Sequence, residues 1–363
     1  MEPRSGVRRL TSPETVRLSH AAALTLGVKR GRFYNDTKLG CINLLQRSEL
    51  GCRANCAYCG QAYSIQDDPA GKSLIRVDWP ERPTEEVVRR IDAAQQGRHP
   101  HVQRVCVGSL VGPKEALASI EITAKVTAGS NVKISCLLSP TSFSKEDFVA
   151  LRDAGAENLT IAIDCVTPRL FEQLRGRTVR SPHRWERYLE GISEAVQVMG
   201  PGYNRVGVHV IIGLGETEQE ACAFMARMYA MGVAVHLFAF YPEEGILLED
   251  RPPVEVRHYR HIQLVRHLLD RGMVDASDLR FDEEGFIIDF GLPAPALDPI
   301  IDSGVPFMTT GCSGCNRPFS NETPSMAMHG QLRNYPWQPK GAELLQIQTQ
   351  LQPIGGPASG DGA

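Results

Sequence analysis

The chain has 363 residues, with 39 Lys and Arg against 42 Asp and Glu and a formal net charge of −3. That balance leaves no footprint for nucleic acid or an anionic membrane surface. No stretch is apolar enough to span a bilayer, and Met1–Thr11 carries charges where a signal peptide needs an apolar core. Ten cysteines in a chain read as cytoplasmic are expected to be metal ligands, reactive thiols or core residues rather than a disulfide framework.

An amphipathic lead-in, Ser12–Leu26, comes first and is read as helical. Short apolar runs then recur at Cys41–Gln46, Val102–Gly108, Val132–Leu138, Asn158–Asp164, Arg205–Gly213, Val233–Tyr241, Asp278–Asp282 and Val305–Thr309. Each reads as a strand. Helix-start signals lie between them: Thr84 before Glu85 and Glu86, Ser144 before Asp147, Thr167 before Pro168, and Thr217 three residues ahead of Glu220. Val254–Arg271 reads as a long helix stopped by Gly272. Near-continuous apolar strands alternating with helices predict an α/β fold, and eight of them predict a parallel (β/α)8 barrel of the TIM type. Its active site is then expected at the C-terminal ends of the strands. The predicted organisation is a lead-in over 1–38, the barrel over 39–323 and an extension over 324–363, with Gly355–Ala363 read as a disordered tail.

Directly after the first of these strands the chain reads Glu49-Leu-Gly-Cys52-Arg-Ala-Asn-Cys56-Ala-Tyr58-Cys59-Gly. Three thiolates spaced CxxxCxxC in one loop can hold three irons of a cubane and leave the fourth open. A structural zinc loop is the bland alternative, but zinc sites commonly draw four ligands from two CxxC-type pairs. With Tyr58 one residue before the last cysteine, the loop resembles the signature of the radical S-adenosylmethionine (SAM) superfamily. The resemblance implies a [4Fe–4S] cluster on Cys52, Cys56 and Cys59. It also implies SAM chelated at the open iron and a reductant such as ferredoxin or flavodoxin.

From Ser12 to Thr323 the chain is most similar to the biotin synthase-like branch. That likeness implies SAM contacts from Tyr58, from Gly108 at the end of Arg104-Val-Cys106-Val-Gly108, and from Asp164 on the ribose. It further implies Arg187 on the SAM carboxylate, and Ile211 and Gly213 of Ile211-Ile-Gly213-Leu-Gly215-Glu216 beside the adenine. Taken alone, Asp164 and Arg187 read equally well as surface salt-bridge residues. Cys106, Cys136 and Arg280 match three ligands of the biotin synthases' second cluster, but the remaining cysteine of that set falls at Gly207 and a substrate-contacting Asn falls near Phe238. The chain therefore departs from biotin synthase.

In its place stands Phe307-Met-Thr-Thr-Gly-Cys312-Ser-Gly-Cys315-Asn-Arg317-Pro-Phe-Ser320, whose CxxC pair suits an auxiliary cluster or, as the alternative, a thiol–disulfide switch. Following the last predicted strand, it is expected at the barrel mouth above SAM. Cys41 is the first choice as third ligand, Arg317 or Ser320 a weak one, and Cys106 with Cys136 the rival set. Cys165 and Cys222 read as core thiols. His258, His261 and His267 read as a solvated helix face, and His209 and His236 as satisfied core histidines.

This combination resembles the two-protein, archaeal-type lipoyl synthases. What that implies is sulfur insertion into an unactivated C–H bond of an octanoyl chain on a lipoyl carrier domain, with a companion radical SAM subunit. No catalytic side chain is assigned beyond the cluster and SAM. A rearrangement or cofactor-assembly enzyme with an auxiliary cluster, and a non-catalytic iron–sulfur scaffold, are the other readings.

Overall fold

The computed structural model describes residues 10–65, 74–97 and 100–352, so the expected disordered tail lies outside the described residues. The chain opens with β1 (Thr15–Leu18) and α1 (His20–Thr25), followed by β2 (Cys41–Gln46), β3 (Glu81–Pro83) and α2 (Thr84–Gln96). Then come β4 (Arg104–Gly108), α3 (Glu115–Gly129), β5 (Lys133–Leu138), α4 (Lys145–Asp153), β6 (Ala156–Asp164), α5 (Pro168–Leu174) and α6 (Trp185–Met199). The last part of the sheet is β7 (Val206–Ile212), α7 (Glu218–Ala230), β8 (Ala234–Ala239) and α8 (Val256–Asp270). The eight strands run in the order β3-β1-β2-β4-β5-β6-β7-β8, with β2 and β4 to β8 all parallel. This is an α/β fold with a mostly parallel eight-strand sheet, consistent with the TIM type.

Period-two alternation positions the site. Ile42, Leu44, Val105, Val107, Ile134, Cys136, Leu159, Ile161, Val208 and Val210 are buried on the face that packs against the helices. Their alternates Asn43, Cys106, Ser135, Thr160, His209 and Phe238 line an internal cavity of about 280 Å³. The barrel is thus stabilised from outside, at about 1.5–3 kcal/mol per fully buried large aliphatic side chain. Its interior is left open, with a mostly apolar lining set among a few polar side chains and thiols. Caps set the helix starts: Ser144 and Thr217 each form a capping box, with Asp147 and Glu220, and Thr167 caps α5 with Pro168 at its first position. Thr84 instead lies inside α2, its hydroxyl donating to the Pro13 carbonyl oxygen at 2.7 Å.

Two of the eight expected strands do not join the sheet, and β1 and β3, which were not expected, take their places. Thr15–Leu18 forms a strand inside the segment read as helical, pairing antiparallel with β2 and β3, and the helix begins only at the Ser19 cap. Strand pairing here overrides helical periodicity because β2 would otherwise be an unpaired edge. Val305–Phe307 is a 3-10 turn; Pro306 has no N–H to give a ladder, and Gly304 enters at φ 69°. Asp278–Asp282 contributes only β9 (Arg280–Phe281), which pairs with β10 (Ile287–Asp289) in a separate hairpin. Beyond these, α9 (Ala294–Asp302), α10 (Pro324–Met328) and α11 (Ala342–Leu351) follow, and α11 packs against α8 through buried Ile347 and Leu351. Among the described residues, no helix is long and apolar enough to cross a membrane.

Candidate active site

Past the C-terminal end of β2 the chain turns through Gly51, at φ 68°, into the three-cysteine loop. The loop is fastened at several points. Arg53 N donates to Val111 O and Ala57 N to Leu174 O, both at 2.8 Å, and Asn55 Nδ2 donates to Val179 O at 2.7 Å. From below, Arg17 Nη2 donates to Gln61 Oε1 at 2.6 Å. Cys52, Cys56 and Cys59 all line the cavity and none is in a disulfide. Burial pushes the Cys56 thiol up to about 11, and burial followed by Cys56 and Cys52 pushes Cys59 up as well. No three His, Cys, Asp or Glu side chains among the described residues converge closely enough for a single metal ion. A cubane spreads its thiolates over separate irons, so wider spacing is what such a cluster needs.

Beside the loop lies a buried polar network. Asp164 ends β6 at φ 63°, in the left-handed region, which turns its carboxylate into the cavity. It ion-pairs with Arg175 Nη1 and accepts from the Tyr58 hydroxyl at 2.7 Å. Arg175 also donates to the Tyr58 and Tyr188 hydroxyls, at 2.7 and 2.8 Å. Arg175 was not legible in the sequence; the only signal was that a buried Asp164 needs a counter-charge. Arg187 takes no part. Its guanidinium donates to Pro140 O and Phe143 O and pairs with Glu190 and Glu194, and it does not line the cavity. The guanidinium that lines the cavity beside the loop is that of Arg175, already paired with Asp164, whereas Arg187 is engaged on the outer face of α6. Gly108 and Ile211 line the cavity, whereas Gly213, at φ 104°, lies just beyond it. There Gly213 N and Leu214 N donate to the Glu216 carboxylate at 2.6 and 3.0 Å.

Asp164→Ala is expected to strand the Arg175 charge in the interior. Removing one partner of a buried pair costs about 3–5 kcal/mol, so urea unfolding should show a loss of that size. A loss below about 1 kcal/mol would mean the pair is solvated and only borderline structural.

The second thiol set lies at the opposite end of the barrel from where it was expected. Segment 311–317 is fastened beneath the N-terminal strand ends. Asn316 Oδ1 accepts from Gly40 N at 3.1 Å, Ser313 O from Arg104 Nε at 2.9 Å, and Gly311 O from Asn204 Nδ2 at 3.1 Å. The approach is tight enough that a Cβ on Gly40 would meet Gly314 O at 2.2 Å. The chain reaches this floor because 305–309 is not a barrel strand and never rises to the mouth. Cys41, the first residue of β2, and Cys315 line the same end of the cavity, near enough for each thiol to shift the other. That interaction pulls Cys315 below the usual thiol range against burial, helped by Arg317 and Arg104, and it pushes Cys41 upward. Cys106 and Cys312 line the same cavity. Cys136 and Arg280 do not belong to the set: Cys136 sits on the outer face of β5 against Thr123 at 3.5 Å, and Arg280 is exposed on β9. His209 lines the cavity, held neutral by burial and then Arg317, while His236 packs behind it with Nε2 unpartnered. His258 and His261 are no solvated face, since both engage Glu218.

Comparison with known proteins agrees with this geometry at the level of the superfamily. Residues 50–228 match the radical SAM superfamily profile. The mitochondrial GTP 3′,8-cyclase of Arabidopsis thaliana is 30% identical over 95 residues, covering 26% of this chain; the chain thus spans about a fifth (22%) of that relative's length. Methylornithine synthase (PylB) superposes with a TM-score of 0.48 at 14% identity, over 69% of this chain and 66% of its own. The [FeFe]-hydrogenase maturase HydG of Carboxydothermus hydrogenoformans gives 0.46 at 14% identity, over 91% and 81%. A [4Fe–4S] cluster and SAM are what such a family implies, and three cysteines outside any disulfide on one fastened loop, beside a buried Asp–Arg–Tyr cluster, fit both. From the loop after β2 into α7, over residues 50–228, the chain is similar to the radical SAM superfamily.

Proposed function

We propose that the protein inserts sulfur into an unactivated C–H bond of an octanoyl chain carried on a lipoyl-type domain. Cys52, Cys56 and Cys59 would hold the SAM cluster, and Cys41, Cys312 and Cys315 an auxiliary cluster, with Cys106 the closest further thiol. SAM bound at the first cluster supplies, on one-electron reduction, a 5′-deoxyadenosyl radical, and the second cluster supplies sulfide. One observation carries the reading: a single cavity runs from one thiol set at the C-terminal strand ends to the other at the N-terminal ends. A substrate carbon held between them faces a hydrogen-abstracting group on one side and a sulfur donor on the other. Leu45, Leu137, Ala162, Ile211, Phe238 and Phe240 line the space between, which suits an uncharged acyl tail. Tyr58 and the Asp164–Arg175 pair orient SAM at the upper end, and the fastened segment 311–317 closes the floor against water.

Protein reconstituted with isotopically heavy sulfide should pass the label to the product in one turnover. Unlabelled product, or an auxiliary cluster still intact after turnover, would overturn the proposal. A second reading, radical rearrangement of a carboxylate-bearing substrate, is favoured by Arg317. Its guanidinium stacks 3.6 Å from the Phe238 ring centroid, its Nη1 is buried without a partner, and it forms no ion pair among the described residues. That reading requires product without sulfur.

A further inference from the structure

Both ends of the barrel are taken. The three-cysteine loop and the segment near Leu248, whose N–H donates to Ala57 O at 3.1 Å, cover the upper end, and 311–317 closes the lower one. The side is different. Among the described residues β3 and β8 are not hydrogen-bonded to each other, so the sheet does not close on itself. The chain from Thr310 to Glu322 fills the gap as irregular backbone. Thr310 Oγ1 accepts from Leu237 N at 2.7 Å, Arg317 Nη2 donates to Thr310 O at 2.7 Å, and Glu322 Oε1 accepts from the Tyr241 hydroxyl at 2.9 Å.

Outside this stretch is a second cavity, about 240 Å³, between α1 and Pro318–Pro324. Ser19, Ile75, Ser320 and Asn321 line both cavities, so the partition between them is one side chain thick, and two of its four residues are serines. The outer cavity has an aromatic wall of Phe33, Tyr34 and Phe319. Its rim is basic. Arg32 and Arg76 line it, and Arg30 and Lys38 are exposed on the loop that follows α1. Among the described residues none of these four forms an ion pair; Asp78 is taken by Lys29 and His20. Among the described residues Glu322 is the one carboxylate in the lining, and it is buried and accepts from Tyr241, Arg333 N and Asn334 N; Asp36, exposed on the loop after α1, is the single acidic group set against Arg30, Arg32, Arg76 and Lys38.

We propose that this lateral groove is the docking face for an acidic carrier domain, whose acylated lysine enters the barrel past Ser19 and Ser320. The inference rests on the carrier-bound substrate proposed above. An acyl-lysine arm is thin and largely apolar, which suits an aromatic groove leading to a small-residue partition, while the folded carrier stays outside on the basic rim. Uncompensated arginines at a rim attract an acidic partner over a Debye length and are screened by salt.

The test uses full-length protein, an octanoylated acidic lipoyl domain, and a short uncharged octanoyl-lysine peptide. In Arg32→Glu/Arg76→Glu, carrier binding measured by fluorescence anisotropy should weaken at least about tenfold and lose its salt dependence. Peptide thiolation and carrier-independent SAM cleavage should stay at wild-type level, showing that the protein is folded. Arg32→Lys/Arg76→Lys should keep most of the binding. Wild-type carrier affinity in the Glu variant, or salt-independent binding by the wild type, overturns the docking face. Binding needs no turnover, so the two proposals fail separately: salt-dependent binding lost in the Glu variant upholds the face even if neither substrate acquires sulfur, and that second result sinks only the proposed function.

Discussion

Cys56→Ala is expected to abolish 5′-deoxyadenosine formation. Each thiolate of the loop would hold one iron, so losing the middle one leaves two irons without protein ligands and removes the single open site that SAM requires. Rescue by a neighbour is not available from the geometry. Cys165 is a buried thiol close enough to feel the charge of Cys56, but it does not line the cavity. The backbone fastening of the loop through Ala57 and Asn55 does not involve the thiol, so the fold should survive. Anaerobic reconstitution, iron counting and chromatography of the reaction with dithionite are the measurements. Reduced Cys56→Ala protein that still cleaves SAM would overturn the assignment of this loop.

The second large effect belongs to the floor of the barrel. Cys312→Ala/Cys315→Ala should lose about half of the bound iron if the second site is also a cubane. It should keep 5′-deoxyadenosine formation, because the upper loop, Tyr58 and Asp164 are untouched, and it should yield no thiolated product. The thiol switch makes a different forecast. Cys41 and Cys315 both line the cavity and interact, so they are the pair such a switch would use. In that case iron content stays unchanged in the double variant, and wild-type activity follows the applied thiol potential. Full iron together with a sulfur-containing product would exclude an auxiliary donor cluster on Cys312 and Cys315. Cys136→Ala serves as the control, since its thiol faces α3 and should leave iron content alone.

By itself the sequence determined the six parallel strands, most of the helix starts and the three-cysteine loop. These are local properties: period-two burial, capping side chains three residues from their targets, and a ligand spacing confined to one loop. Only the tertiary structure decided which cysteines meet. Cys41 and Cys315 are 274 positions apart in the chain and come together because 311–317 runs under the strand ends. A strand assigned at 305–309 had placed that segment at the opposite end. Strand alternation separated Cys106 from Cys136, turning one into the cavity and the other toward a helix. That Arg175 and not Arg187 lines the cavity has the same origin. A motif position says which residue type is suitable, but whether a guanidinium reaches the cavity depends on which face of its element is buried and on which carboxylates lie within reach. For Arg187 those are Glu190 and Glu194 on the outside of α6; for Arg175 it is Asp164, inside the barrel.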